Sequence, residues 1–474
     1  MCVAGFAGSQ KLAAVTPGSA SPSPGANTLS TRFAASLKAF LCQPLLPFSV
    51  RSANQLSVIT PLRLIFIANL RQLIYFLFAR PSAKFPSAPY MENDTVNASP
   101  ITAMEDARWG LRRHEWQMIG IVISIKALLF LFAGQSYQVL QNQRVAGARG
   151  WLEIWNRWDA VNYQKIAQFG YTATGEMRPL LVFYPLYPWT VRLLAFFTRD
   201  YMLGAFVVST LASLVAAIVL LRLVELDYPK ELAQRAVWFL FIFPTSYFLH
   251  IGYTESLFLM LALSCVYAAR KQRWFVAALF GALTCLTRAN GLVLGPVLVM
   301  EAGYQYWTTR RWQWQWLYIP LLGLGFGGYL LLNKQVTGDA FAFTSLMQQF
   351  FSKSLSSPLT GIDNALGSLS RAPSEAEMIG MQEVLFIALG LVCTIVSWIK
   401  LRPAYSVWMT GNWLMFVSVS FVLSVPRYTL TMFPIFILFA LLAARRVWFA
   451  VITIWSILYL AFFSSMFTWG RWAF

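Results

Sequence analysis

Trp151-Leu-Glu-Ile-Trp-Asn-Arg-Trp-Asp-Ala-Val-Asn-Tyr163 opens a polar, aromatic stretch that ends in Phe183-Tyr-Pro-Leu-Tyr-Pro188. Apolar runs flank it, the first from about Trp116 to Leu140. About 20 apolar residues suffice to cross the hydrocarbon core of a bilayer as a helix. Charges inside that core are costly unless paired, and this stretch holds Glu153, Arg157, Asp159 and Glu176. It reads as a loop outside the bilayer.

Composition extends that reading to the whole chain. Of 474 residues, 58% are hydrophobic and 12% charged, with a mean hydropathy of +0.56. Ordinary globular chains carry about 25% charged residues. The expected fold class is therefore an all-α membrane protein with a polar, aromatic first extracytoplasmic loop. Its 19 Trp and 19 Tyr suit the headgroup region. The net charge of +18 invites a nucleic-acid partner, but most cations sit in short loops between apolar runs. There they hold loops on the cytoplasmic side, so no nucleic acid is expected. Cys2, Cys42, Cys265, Cys285 and Cys393 include no close pair, and with two His they make a poor Cys/His metal site.

Residues 1–90 contain no Asp or Glu and eight Lys or Arg. Residues 1–107 are read as an acid-poor N-terminal extension. It is transit-peptide-like in composition, or lies ahead of a native start at Met91 or Met104. Residues 108–474 form the membrane domain. Arg108, Arg112 and Arg113 place the start of the Trp116–Leu140 span in the cytoplasm. Ten further spans are expected: Tyr201–Leu223, Ala236–Gly252, Glu255–Ala269, Trp274–Thr287, Asn290–Tyr306, Trp314–Leu332, Gln382–Ile399, Ala404–Ser424, Thr429–Ala444 and Val447–Thr468. A long polar loop should cover Asn333–Gly380. Leu180–Phe197, with Pro185, Pro188 and Arg192, is read as a broken or re-entrant segment. Counted as a span, it would invert every later loop. This topology of about eleven spans puts Asp159, Glu255, Arg288 and Arg427 on one face.

Each candidate has a plainer reading beside the functional one. Asp159, Asn162, Tyr163 and Ile166 share one side of a helix, which could be merely interfacial. Glu255, in Tyr253-Thr254-Glu255-Ser256, suits a helix cap as well as a site. Arg288 and Arg427 run against the positive-inside trend, and Arg forks suit phosphate, although snorkelling would also serve. Gly323, Gly325, Gly327 and Gly328 suggest close helix packing. No Gly-rich phosphate loop, Ser-His-Asp set or nucleotide fingerprint is present.

Arg157-Trp158-Asp159-Ala160, Phe183-Tyr184-Pro185-Leu186-Tyr187-Pro188, Pro244-Thr245-Ser246-Tyr247-Phe248, Tyr253-Thr254-Glu255-Ser256-Leu257-Phe258, Arg288-Ala289-Asn290-Gly291 and Pro426-Arg427-Tyr428 occur in this order. Together they resemble the PIG-V-like mannosyltransferases of the glycosyltransferase C superfamily, over about Arg108–Phe474. The resemblance implies a multispanning enzyme that uses a lipid-phosphate-linked sugar on the non-cytoplasmic face. It also implies an acid in the first outer loop, which falls on Asp159. Members that build glycosylphosphatidylinositol have a His where this chain has Asn162. That departure points to a prokaryotic-type relative with a different acceptor, and a bacterial plasma membrane is the expected setting.

The expected activity is hexose transfer, with mannose as the sugar, from a polyprenyl- or dolichyl-phosphate donor to a glycan or glycolipid acceptor. Asp159 would be general base, and Glu255 would orient the acceptor or a metal ion. Arg288, Arg427 and Arg157 would hold the donor phosphate. Asn162, Tyr163, Tyr184, Tyr187 and Tyr253 would line the acceptor groove. No cofactor is expected apart from a divalent metal, which is left open. The alternative is a transporter or flippase of a lipid-linked intermediate.

Overall fold

The computed structural model describes residues 107–108, 110–370 and 381–472, all within the unit Gln72–Phe474. The expectation for residues 1–106 lies outside the described residues, as does the part of the polar loop at 371–380. A two-residue antiparallel hairpin pairs Ala107–Arg108 with Leu111–Arg112, Ala107 opposite Arg112. The other regular elements among the described residues are helical.

Five helical segments are long and apolar enough to cross a membrane: Arg113–Gln141, Tyr201–Val224, Trp314–Thr337, Met381–Lys400 and Arg446–Trp469. The other six expected spans resolve into shorter helices. These are Lys230–Ile242, Glu255–Arg270, Trp274–Cys285, Leu294–Thr309, Pro403–Val417 and Pro434–Leu442, of 9 to 16 residues. At 1.5 Å per residue, 16 residues reach only about 24 Å. Tight 3-10 turns at Ser246–Leu249 and Ala289–Val293 interrupt the apolar runs. Six of the eleven expected spans are thus built from helices shorter than one full crossing.

The Leu180–Phe197 run breaks as its prolines predict. A 3-10 turn at Arg178–Val182 leads into a 13-residue helix, Leu186–Thr198. Arg192 is accounted for there: its Nε donates to the Ala167 carbonyl at 2.5 Å, at the end of the Asp159–Phe169 helix. The expected loop at Asn333–Gly380 is partly helical, with Ala342–Phe351 and Pro358–Gly367.

The buried Glu255–Arg270 helix packs against Tyr201–Val224 and Trp274–Cys285. At its C-terminal end Arg270 pairs with Asp227 at 2.7 Å, and Arg402 pairs with Glu301 at 2.8 Å. These cations, expected simply to mark cytoplasmic loops, also hold helices together. Its N-terminal end, about 24 Å away, begins with Glu255. Of the four glycines expected in close packing, Gly325 is the tightest. A Cβ there would fall 1.8 Å from the Ala282 carbonyl oxygen, whereas Gly323 and Gly327 face open space.

Candidate active site

Four charged residues from four parts of the chain meet at the start of the Glu255–Arg270 helix. Arg427 donates through Nη1 to Asp159 Oδ2 at 2.7 Å and through Nε to Glu255 Oε1. Arg288 Nη1 donates to the same Glu255 oxygen at 2.5 Å, and to Thr254 Oγ1 at 3.4 Å. Glu255 thus holds two guanidinium groups side by side. Its other oxygen, Oε2, is buried without a hydrogen-bond partner among the described residues. Such an acceptor is costly to leave unmet, which suits a donor brought by a ligand.

Exposure orders the four. Glu255 is fully buried and the Arg427 side chain 6% exposed, Arg288 is 15% exposed, and Asp159 is 29% exposed. Asp159 is the open end of the cluster. Burial works against the Arg427 cation, but Glu255 and Asp159 outweigh it and hold the guanidinium well above its usual range. Its ring neighbours are Phe248 and Tyr253, with centroids 5.0 and 4.6 Å away.

Local backbone devices place these side chains. Trp158, just before Asp159, has φ +46°, a region that L-residues with large side chains avoid. Strain of about 1–3 kcal/mol persists only where the surroundings fix it. Here Phe467 and Trp472 pack edge-on against the Trp158 ring. Arg427 rides on a five-residue helix, Val425–Thr429, whose entry is held by Glu383. The two Glu383 carboxylate oxygens accept the Ser424 and Val425 N–H groups, each at 2.8 Å.

Other expected site residues lie apart from the cluster. Arg157 donates to the carbonyls of Ile154, at 3.3 Å, and Thr468, at 2.9 Å, tying its loop to the last helix rather than joining Arg288 and Arg427. Its carbonyl accepts the Tyr253 hydroxyl at 2.9 Å. Tyr187 and Tyr253 are fully buried. The Tyr187 hydroxyl meets Ser209 Oγ at 3.1 Å. Tyr163, also buried, meets the rings of Tyr187 and Phe183 edge-on, and burial raises its hydroxyl above the usual phenol range. Tyr184 stacks on Tyr329 at 3.9 Å and, like Asn162, remains half-buried. Sequence reading passed over Glu383 and Lys353. Glu383 carried a usable signal, since it is an acid at the start of an apolar run.

A divalent cation does not fit this donor set. Glu255 Oε1 already faces two guanidinium groups and Asp159 faces one, so the bound cations would repel a metal ion.

Comparison with known proteins agrees with the motif order. Residues 135–310 match the family model described as mannosyltransferase (PIG-V). The resemblance is borne out over this region, which holds Asp159, Glu255 and Arg288. A GPI mannosyltransferase 2 of Yarrowia lipolytica is 35% identical over 92 residues, 19% of this chain and 26% of that protein. The match thus spans about a quarter of this relative's length. The crystal structure of an Archaeoglobus fulgidus oligosaccharyltransferase tethered to an acceptor peptide aligns over 74% of this chain and 55% of its own. The TM-score is 0.38 and the identity 11%, a likeness that places no residue.

Proposed function

We propose that this chain is an integral-membrane mannosyltransferase that moves mannose from a polyprenyl- or dolichyl-phosphate donor to a glycan or glycolipid acceptor. The observation that carries the reading is Asp159, the most open member of an Arg–Glu cluster of which Asp159, Glu255 and Arg288 lie in the region matched by the PIG-V family model. The glycosyltransferase C architecture, with about eleven crossings and the site on the extracytoplasmic face, belongs to the same proposal. So does a bacterial plasma membrane as its setting.

In the proposed step, an acceptor hydroxyl attacks the anomeric carbon from the face opposite the phosphate. The hydroxyl proton passes to Asp159 as the new C–O bond forms. The bond from the anomeric carbon to the phosphate oxygen breaks, and the lipid phosphate leaves as an anion. Arg288 and Arg427 meet its growing charge, already oriented by Glu255. Glu255 Oε2 accepts a hydrogen bond from a sugar hydroxyl. A phosphate leaving group needs no nucleotide site.

Transfer of radiolabelled mannose from polyprenyl-phosphate mannose to membrane acceptors tests the proposal. The expected result is transfer by purified protein in lipid. No transfer across several lipid-phosphate sugars and acceptors would overturn it.

A further inference from the structure

Every guanidinium in the cluster already has a carboxylate. Arg288 holds Glu255, and Arg427 holds both Glu255 and Asp159. A phosphate arriving there must share them with anions, which weakens each contact. One nearby cation makes no direct ion pair among the described residues, although the Glu383 carboxylate feels its charge. Lys353 stands with its ammonium 5.8 Å from the centre of the Tyr428 ring, and Arg288 lies 5.3 Å from the same centre. Tyr428 follows Arg427 in the chain, so Lys353 and Arg288 share a ring next to the cluster. Among the described residues the Lys353 ammonium forms no ion pair or hydrogen bond.

Lys353 is held in this place by its own segment. The Ala342–Phe351 helix ends at Ser352, whose φ of +54° turns the chain sharply. Ser354 and Ser420 then pair through one backbone and one side-chain bond, the Ser420 N–H reaching the Ser354 carbonyl at 2.9 Å and the Ser354 N–H reaching Ser420 Oγ at 3.0 Å. The Ser356 N–H donates to the Ser418 carbonyl at 3.0 Å. Those partners lead directly into the helix bearing Arg427. Around Lys353 the apolar side chains Phe350, Leu355 and Leu359 are exposed, Leu355 at 90%. A cation beside open hydrocarbon suits an amphiphilic phosphate better than a soluble one.

Resting on the transfer reading above, we propose that Lys353 binds the phosphodiester of the lipid-linked donor. Its ammonium donates to a non-bridging oxygen, and Phe350, Leu355 and Leu359 receive the adjoining isoprenoid chain. A bulk anionic phospholipid offers the same chemistry, so the test separates the two.

The experiment compares wild type, Lys353→Ala and Lys353→Arg in nanodiscs of phosphatidylcholine, with and without phosphatidylglycerol. Two quantities are read: binding of radiolabelled polyprenyl phosphate, and KM and kcat for polyprenyl-phosphate mannose at saturating acceptor. Lys353→Ala is expected to weaken binding and raise KM about tenfold, the scale of one charge-assisted hydrogen bond, with kcat nearly unchanged. Lys353→Arg should restore most of the binding. Unchanged binding and KM in Lys353→Ala overturn the proposal. So does an effect confined to discs containing phosphatidylglycerol. If wild type binds polyprenyl phosphate through Lys353 yet transfers no mannose, the phosphate site stands and the transfer reading falls.

Discussion

Arg427 and Asp159, 268 residues apart in the chain, are joined by a hydrogen-bonded ion pair of 2.7 Å. The pair links the first large loop to the segment after the Pro403–Val417 helix. Asp159 is the open end of the pair, backed by a cation that Glu255 also holds. That arrangement separates what each residue is expected to do when changed.

Glu255→Ala should damage stability and transfer together. It removes the fully buried carboxylate shared by the buried Arg427 and the partly buried Arg288, and breaking a buried pair costs about 3–5 kcal/mol. Thermal unfolding in detergent should show a clear loss. A variant as stable as wild type would mean that Asp159 suffices for Arg427 and that Arg288 finds another counter-charge.

Glu383→Gln should act at a distance from the reacting atoms. One amide oxygen replaces two carboxylate oxygens, so one of the Ser424 and Val425 N–H groups loses its acceptor. The expected cost is about 1–3 kcal/mol. As the Arg427 helix loosens, transfer should fall, with a larger effect on kcat than on donor binding. Unaltered kcat would remove Glu383 from the positioning of Arg427.

Asp200 gives a pH dependence outside the spans. It caps the Tyr201–Val224 helix, accepting the N–H groups of Met202 at 2.8 Å and Leu203 at 3.1 Å, and it pairs with Arg149. Burial pushes its carboxyl up, but these bonds prevail and hold it below the usual carboxylate value. A depressed folded value means that the contribution is present above the unfolded value, about pH 4, and lost as pH falls through the folded one. Wild type should therefore lose stability on acidification through this group, and Asp200→Ala should lack that part of the slope. At neutral pH the same variant should be about 0.5–2 kcal/mol less stable. Identical acid profiles for the two proteins would contradict the assignment.

Much of this was legible in the sequence because hydrocarbon imposes its pattern locally. The runs at Trp116–Leu140, Tyr201–Leu223 and Val447–Thr468 lie within full-length helices, and the prolines before Arg192 do break the chain. Asp159, Glu255, Arg288 and Arg427 stood out as charges where charge is costly, and the structure joins them. Arg157 stood out on the same grounds, but its partners are backbone carbonyls, which no motif reveals. Tyr187 and Tyr253 looked like groove residues because they flank polar motifs; their burial is set by distant helices. Lys353 sat in a long polar loop, where a single lysine is unremarkable until the turn at Ser352 brings it to Tyr428.

The most direct test of the central claim is mannose transfer from polyprenyl-phosphate mannose by wild type beside Asp159→Asn, with thermal unfolding measured on both. Asparagine keeps an acceptor oxygen for Arg427, and Glu255 remains as the counter-charge of that guanidinium, so the fold should tolerate the change. Removal of a general base typically costs 10²–10⁴-fold in rate. The account predicts transfer by wild type, a fall of about that size in Asp159→Asn, and nearly equal unfolding temperatures. Undiminished transfer by a well-folded Asp159→Asn protein would contradict it.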